Sequence, residues 1–197
     1  DLDYEIIVIK AINDNSDQFV NSSNYDNLRI IEQKKKGYGA ALKEGFLSSQ
    51  KKSLCIFNAD GSFETNDIKR LTNEIYKGND FVYCSRYRKN AGSEDDNFTT
   101  FIGNHIFSLI GRLFFKLKLT DILFTYFIAN TQKINSLELT SDDFGICVEI
   151  PIKMSRENLV YDEIPSYEYK RMYGKKNVNE FRDGFLILIK MLYLFFK

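Results

Sequence analysis

The stretch SLCIFNADGS, residues 53–62, decides the fold. Its first half is apolar and predicts a buried strand over residues 53–57. The strand ends in the polar cluster Asn58-Ala59-Asp60, and helical periodicity follows as far as about Lys77. A strand that ends in polar residues and leads into a helix is the unit from which α/β proteins are built.

The same alternation continues on both sides of this stretch. Further strands are predicted over residues 4–9, 28–32, 80–84 and 159–169. Further helices are predicted over residues 40–49, 98–117, 144–157 and 178–196, and the charged residues 88–97 predict a mobile loop. These elements predict a mostly parallel sheet with helices on both faces, whose ligands bind where the strands end.

The composition excludes one broad class of function. Lys and Arg together number 27, as do Asp and Glu, so the formal net charge is zero. A general nucleic-acid binder would carry a basic excess, and we therefore expect no nucleic-acid partner. The three cysteines lack metal-ligand spacing and are interpreted as small buried apolar side chains in a reducing compartment.

The cluster Asn58-Ala59-Asp60 is the first candidate for chemistry. An acidic side chain at the mouth of an α/β sheet can hold Mg²⁺ or Mn²⁺, which prefer oxygen ligands. Such an ion would neutralise a departing nucleotide diphosphate. An Asp-Gly pair after a strand also predicts a plain turn, and this alternative stays open.

Two basic, glycine-containing segments are candidate anion sites. Residues 34–37 (KKKG) precede a predicted helix, whose N-terminal amides favour anions. Arg171 and Lys175 flank Gly174, close to the apolar C-terminal segment. Taken singly, a basic segment of this kind is more often a solvated surface, and this alternative stays open.

Two acidic residues stand in apolar surroundings, Asp121 and Glu149. Because an unpaired buried carboxylate is costly, each is expected to be exposed, paired with a cation, or functional.

In order along the chain, these segments resemble family 2 glycosyltransferases of the polyprenyl-phosphate sugar synthase type, whose best-known member is dolichol-phosphate mannose synthase. The resemblance covers about residues 4–190. The segments that carry it are GYGAALKEGF (37–46), FNADGS (57–62), GNDFVYCSRY (78–87), GN (103–104), LTDILFTYF (119–127), DDFGICVEIPIK (142–153) and EIPSYEYKRMYGKKNVNEFRDGF (163–185).

The resemblance implies a GT-A fold, which is an α/β fold. It also implies that a sugar is transferred with inversion from a nucleotide-diphosphate sugar that is GDP- or UDP-linked. The implied acceptor is a polyprenyl phosphate such as dolichyl or undecaprenyl phosphate. The implied place is the cytoplasmic face of a membrane, and the membrane surface is an implied partner. Residues 1–183 would form the catalytic domain, and residues 184–197 an apolar helix that is interfacial or begins a membrane segment.

The resemblance also implies roles for single residues. Asp60 would be the main metal ligand with Asn58 beside it, and Asp121 and Arg171 would join Asp60 in catalysis. The donor nucleotide would be bound by Asp14, Asp17, Lys36, Gly37, Asn58 and Arg86. The acceptor phosphate would be bound by Arg86, Arg171 and Lys175, and Glu149 matches a further acid of the family.

The sequence departs from the family pattern at several positions. Asn58 stands where the family usually has Asp, Thr125 where Gly is expected, and the acidic motif near Asp14 is blurred. The family's first strand and helix, roughly thirty residues, are expected to be absent. Two alternatives stay open: a family 2 transferase with a saccharide acceptor, and a degenerate GT-A domain that acts as a scaffold in a membrane glycan-assembly complex.

Overall fold

Strands and helices alternate through the structure, a computed structural model that describes residues 3–12, 26–174 and 178–197. The strands are β1 (Ile6–Lys10), β2 (Leu28–Glu32), β3 (Ser53–Cys55), β4 (Phe81–Ser85), β5 (Gly92–Ser93), β6 (Phe127–Asn130), β7 (Tyr161–Pro165) and β8 (Tyr167–Glu168). The helices are α1 (Tyr38–Ser48), α2 (Asp67–Tyr76), α3 (Phe98–Phe115), α4 (Thr131–Ser136), α5 (Ile146–Arg156) and α6 (Glu180–Phe196).

A mixed four-stranded sheet lies at the centre, with the order β3-β6-β4-β7. Strands β4 and β7 are parallel, whereas β6 is antiparallel to both of its neighbours, β3 and β4. Strands β3, β4 and β7 therefore share one direction, and only β6 is reversed. Strands β1 and β2 form a separate parallel pair, and β5 and β8 form another. The predicted α/β fold is confirmed.

Strand β4 is the most deeply buried element of this sheet, since all five of its residues are buried. Phe81 and Tyr83 pack into the larger apolar cluster, which includes side chains of α3, α5 and α6. Val82 and Cys84 point to the other side of the sheet and pack against Leu71 of α2. Because successive strand residues face opposite sides of a sheet, β4 lies between two apolar clusters. Packing on both sides fixes the position of the carboxyl end of β4.

The structure corrects two of the predicted elements and adds two others. The single strand expected over 159–169 is two strands, β7 and β8, which pair in different sheets. Strand β6 and helix α4 were not predicted. The expected loop over 88–97 contains β5, whose residue Gly92 lies opposite Tyr167 of β8.

Helices α3 and α6 lie side by side and run in the same direction. Near their starts, the Asn97 side chain donates a hydrogen bond to Glu180 (2.8 Å). Near their ends, the rings of Phe114 and Phe195 meet edge to face, with centroids 5.7 Å apart. Among the described residues, no helix combines the length and apolar character needed to cross a bilayer.

Candidate functional site

The turn at Asp60 and the segment around Arg171 are joined by backbone hydrogen bonds. The Asp60 carbonyl accepts from the amides of Met172 (2.9 Å) and Tyr173 (3.4 Å). Gly61 completes the turn with φ of 82°, a left-handed conformation that favours glycine. A Cβ atom there would also lie 2.8 Å from the Met172 side chain. The two segments, 111 positions apart in the sequence, are therefore in direct contact, and the surface that they share with Asp60 and Arg171 is here called the Asp60–Arg171 cleft.

The side chains of this cleft leave polar atoms available. Asp60 Oδ1 accepts from the Ser62 amide (3.0 Å) and hydroxyl (2.6 Å), whereas Asp60 Oδ2 lies 3.6 Å from Arg171 Nη2. Arg171 Nη2 is also 3.7 Å from Asp95 Oδ2. Among the described residues, the buried Nε of Arg171 has no hydrogen-bond partner. Arg171 is therefore held near two carboxylates with donor capacity left for another acceptor.

Two oxygen-bearing side chains of this turn are the ligands assigned to a divalent ion, and that assignment stays a prediction. Asp60 Oδ2 and the half-buried Asn58 side chain offer the oxygens that Mg²⁺ and Mn²⁺ prefer. Within residues 3–12, 26–174 and 178–197, no group of three or more acidic, His or Cys side chains could hold a metal. Asp60 and Asn58 would thus hold the ion only together with substrate phosphates, where it would neutralise developing negative charge.

The predicted nucleotide segment at Lys36 and Gly37 packs against the segment that precedes α5. Gly37 has φ of 132°, and a Cβ atom there would lie 2.1 Å from the Asp142 carbonyl oxygen. That carbonyl accepts from the Ala40 amide (3.1 Å). The Asp142 carboxylate pairs with Lys35 and with Lys43 (2.7 Å), and these lysines lower its pKa. All three lysines of the run 34–36 are exposed, and the predicted role of Lys36 at the nucleotide stays a prediction.

The side chains of Tyr38 and Thr125 contact each other through their hydroxyl groups. Their hydroxyls are 2.6 Å apart, and the Tyr38 ring stacks on Phe144 with centroids 5.0 Å apart. Burial, with smaller contributions from the charges of Cys147 and Asp60, raises the pKa of Tyr38. The threonine that replaces the family's glycine therefore has a specific partner, which the sequence did not indicate.

Arg86 is bound on several sides by acids. Its Nε and Nη2 donate to the two oxygens of Asp121 (2.7 and 3.0 Å), and Nη1 donates to Glu168 (3.0 Å). Asp96 lies 3.6 Å from the same Nη1. Only 8% of the Arg86 side chain is exposed, and none of the Asp121 side chain is. A phosphate would have to displace these carboxylates, so the contacts of Arg86 count against the predicted phosphate role, which stays a prediction.

Both oxygens of Asp121 accept hydrogen bonds from Arg86, and the predicted catalytic role of Asp121 stays a prediction. Glu163, beneath it, accepts from the amides of Thr120 (2.9 Å) and Asp121 (3.2 Å). Burial raises the pKa of Glu163, although these hydrogen bonds oppose the effect. Sequence reasoning missed Glu163 and Glu168. The alternation of polar and apolar residues over 159–169 was visible in the sequence. It did not indicate that the Glu163 and Glu168 side chains are both buried.

Glu149 does not join the Asp60–Arg171 cleft but anchors α6. It accepts from the amides of Thr140 (3.0 Å) and Ser141 (2.7 Å) and pairs with Lys153 (3.0 Å) and Lys190 (3.2 Å). These contacts are those of a carboxylate paired with cations, which is one of the alternatives left open for Glu149, and its match to the family's further acid stays a prediction. The remaining predicted site residues, Asp14, Asp17 and Lys175, lie outside the described residues.

The structure has a mixed sheet with helices, the Asp60 turn after β3, and Arg171 next to that turn. This arrangement belongs to the class of proteins with the GT-A fold. Solved structures of glucosyl-3-phosphoglycerate synthase from Mycobacterium tuberculosis share this fold. One, in complex with Mn²⁺, uridine diphosphate and phosphoglyceric acid, superposes with a TM-score of 0.71 at 12% identity. The comparison covers 97% of this chain and 67% of that one.

The sequence comparisons then give the family. The family described as "Glycosyl transferase family 2" matches residues 1–137. Glycosyltransferase AglJ of Haloferax volcanii is 25% identical over 167 residues, which are 82% of this chain and 54% of that protein. An uncharacterized glycosyltransferase of Mycobacterium tuberculosis is 33% identical over 64 residues, which are 32% of this chain and 29% of that protein. The chain belongs to glycosyltransferase family 2, and it spans about half the length of AglJ.

Proposed function

We propose that the chain carries the catalytic site of an inverting glycosyltransferase that moves a hexose from a GDP- or UDP-linked donor to a polyprenyl phosphate. The observation that carries this proposal is the cleft in which Arg171 Nη2 lies 3.6 Å from Asp60 Oδ2. Asp60, with Asn58, would hold Mg²⁺ or Mn²⁺ at the diphosphate of the donor. Arg171 would bind the acceptor phosphate on the other side. The reaction would take place on the cytoplasmic face of a membrane.

The chemistry of a phosphate acceptor suits these residues. A phosphate monoester has its second pKa near 6, so it is already an anionic nucleophile at neutral pH. It needs positioning and charge screening more than a strong general base. Among the described residues, the Nε of Arg171 has no hydrogen-bond partner, and this free donor supports a phosphate ligand. The structural relative that was solved with phosphoglyceric acid also holds an acceptor that carries a phosphate.

The donor half of the proposal is tested by nucleotide binding. Wild-type protein should bind UDP or GDP with Mn²⁺ more tightly than either component alone, measured by calorimetry. Asp60→Ala should remove the Mn²⁺-dependent part, because Asp60 supplies the one carboxylate assigned to the ion. Asp95→Ala is the matched control: it removes the other carboxylate near Arg171 and should leave metal-dependent binding intact. Absence of such binding in the wild type would favour the scaffold alternative.

The acceptor half is tested at Arg171. Arg171→Ala should reduce transfer to a polyprenyl phosphate by roughly a hundredfold, since a charge-assisted contact to phosphate contributes about 2–3 kcal/mol. Donor binding should stay unchanged. Parallel reactions with 3-phosphoglycerate and with a neutral saccharide would separate the acceptors. Equal turnover with the saccharide, insensitive to Arg171→Ala, would contradict the phosphate acceptor.

A further inference from the structure

The hydroxyl groups of Tyr38 and Thr125 make one hydrogen bond between them and retain one further donor. Their oxygens are 2.6 Å apart. Among the described residues, neither hydroxyl has a second hydrogen-bond partner. Because one hydrogen bond uses one of the two hydroxyl hydrogens, the other is left for a ligand. Both side chains are half-buried, so this remaining donor can be reached from the surface.

The register of β3 and β6 brings Thr125 to the turn that follows β3. The Ile56 amide donates to the Phe127 carbonyl (3.1 Å), which continues the antiparallel register of these strands past the end of β3. The next pair of residues is in ring contact, with centroids 5.8 Å apart. One step further along both chains, Asn58 lies opposite Thr125. Thr125 is therefore a neighbour of the turn to which the metal and the diphosphate are assigned.

Tyr38 connects Thr125 to the predicted nucleotide segment. Tyr38 is the first residue of α1 and directly follows Gly37. Its ring stacks on Phe144 with an interplanar angle of 24°, and this packing fixes the direction of the hydroxyl. Burial is the largest cause of the raised pKa of Tyr38, and the charge of Asp60 is a smaller one. The hydroxyl pair thus lies between the nucleotide segment and the Asp60 turn.

The direction of the hydrogen bond follows from the chemistry of the two groups. A phenol is more acidic than an alcohol, so the Tyr38 hydroxyl is the better donor and Thr125 Oγ1 the better acceptor. With Tyr38 donating, the hydrogen that remains free is that of Thr125. A hydroxyl that accepts one hydrogen bond donates a stronger one, because hydrogen bonds in a chain polarise one another. The glycine expected at position 125 would supply neither group.

We propose that the Thr125 hydroxyl donates a hydrogen bond to an oxygen of the donor diphosphate, and that Tyr38 is the positioning residue that orients this hydroxyl. The inference rests on the proposed function, because that function assigns the diphosphate to the turn at Asn58 and Asp60. It adds a contact made by an uncharged group, whereas Asp60 acts through the metal ion. Asn58 and Thr125 then both contribute polar atoms to the turn without adding negative charge beside the diphosphate.

The test is calorimetric binding of UDP and GDP with Mn²⁺. Thr125→Val has nearly the same shape without the hydroxyl and should weaken binding by roughly tenfold. Tyr38→Phe should weaken it by about threefold, and the double variant should bind like Thr125→Val alone, because Tyr38 acts only through Thr125. Thr125→Ser keeps the hydroxyl and should bind like the wild type. The control is Tyr161→Phe, which removes a half-buried hydroxyl that accepts from the Lys118 amide (3.0 Å) at the amino end of β7.

Thermal unfolding of each variant confirms that it is folded. Three results would overturn the proposal: a folded Thr125→Val that binds like the wild type, a Thr125→Ser that binds as weakly as Thr125→Val, or additive losses in the double variant. The second result would assign the loss to packing, and the third would remove the link between Tyr38 and Thr125. Asp60→Ala is measured beside these variants. If Mn²⁺-dependent binding needs Asp60 but not the hydroxyls, only this inference is lost, whereas a wild type that binds neither nucleotide contradicts the proposed function as well.

Discussion

Single residues hold the Asp60 turn against the Arg171 segment. Gly61 has a positive φ and faces the Met172 side chain, while the Asp60 carbonyl accepts from the Met172 amide. The turn thus needs both a left-handed backbone and the absence of a side chain. These two demands can be separated, because Gly78 has a φ of 101° but no atom within 4 Å of its Cβ position.

We expect Gly61→Ala to destabilise the protein more than Gly78→Ala. Both variants place alanine in a left-handed conformation, which costs about 1–2 kcal/mol. Only the alanine at position 61 also meets Met172, so its unfolding free energy should fall by roughly a further 1 kcal/mol. Urea unfolding measures both values. Equal losses would show that Met172 moves aside freely.

A second prediction concerns Arg86, whose guanidinium binds both oxygens of Asp121. Arg86→Lys cannot reproduce the bidentate contact and leaves Asp121 and Glu168 underpaired in a buried site, so we expect a loss of about 3 kcal/mol of unfolding free energy. The control is Arg29→Lys in the more exposed pair with Glu5, which should cost less than about 1 kcal/mol. If Arg86→Lys unfolds like the control while phosphate affinity falls, Arg86 is a ligand-binding residue.

At the scale of elements, Glu149 connects α5 to α6 and to the segment before α5. Burial alone would raise the pKa of Glu149, but hydrogen bonds from Ser141 and Thr140 and the contact with Lys153 lower it. The partner on α6 is Lys190, whose Nζ also donates to Thr140 (3.0 Å). One carboxylate thus holds the apolar C-terminal helix in place through its side chain contacts.

This arrangement predicts how stability depends on pH. Because the folded-state pKa of Glu149 is below its unfolded value, its contribution is present above the unfolded pKa and is lost as pH falls through the folded value. Glu149→Gln should cost about 3 kcal/mol near pH 7 and progressively less in acid. Urea unfolding at about pH 7 and about pH 3 compares the variant with the wild type. A cost that is independent of pH would contradict a role for the charge.

The central four-stranded sheet is more deeply buried than the pair of strands β1 and β2, which is here called the shallower sheet. All residues of β4 are buried, whereas β1 and β2 contain only half-buried and exposed residues. Helix α1 packs on β1 and contributes Phe46 to the larger apolar cluster. Local opening is easiest where few apolar contacts are lost, so protection should differ between the two sheets.

Amide hydrogen exchange should therefore show two levels of protection. The amides of β4 and β7 should exchange only through global unfolding, and those of β1 and β2 through smaller openings. Mass spectrometry of the peptides that cover residues 6–10 and 81–85 compares the two directly. Indistinguishable exchange in both peptides would mean that the sheets open as one unit. Slower exchange at residues 6–10 after adding UDP and Mn²⁺ would link the shallower sheet to donor binding.

Local pattern was sufficient for most helices and for the existence of strand β3, because apolar periodicity and turn residues act within a few positions. It was insufficient for β6, whose sequence FIAN resembles any short apolar segment. Its position between β3 and β4 depends on pairing with strands that are more than 40 residues away.

What the sequence determined by itself was the α/β class, the polar cluster that follows β3 and the types of residue available for chemistry. The tertiary structure decided which of those residues meet. It placed Arg171 beside Asp60 and paired Arg86 with Asp121 and Glu168. It paired Glu149 with Lys190 of α6, away from Asp60. The physical reason is that the pairing of charges depends on distance and burial, and these are set by contacts between segments far apart in the chain.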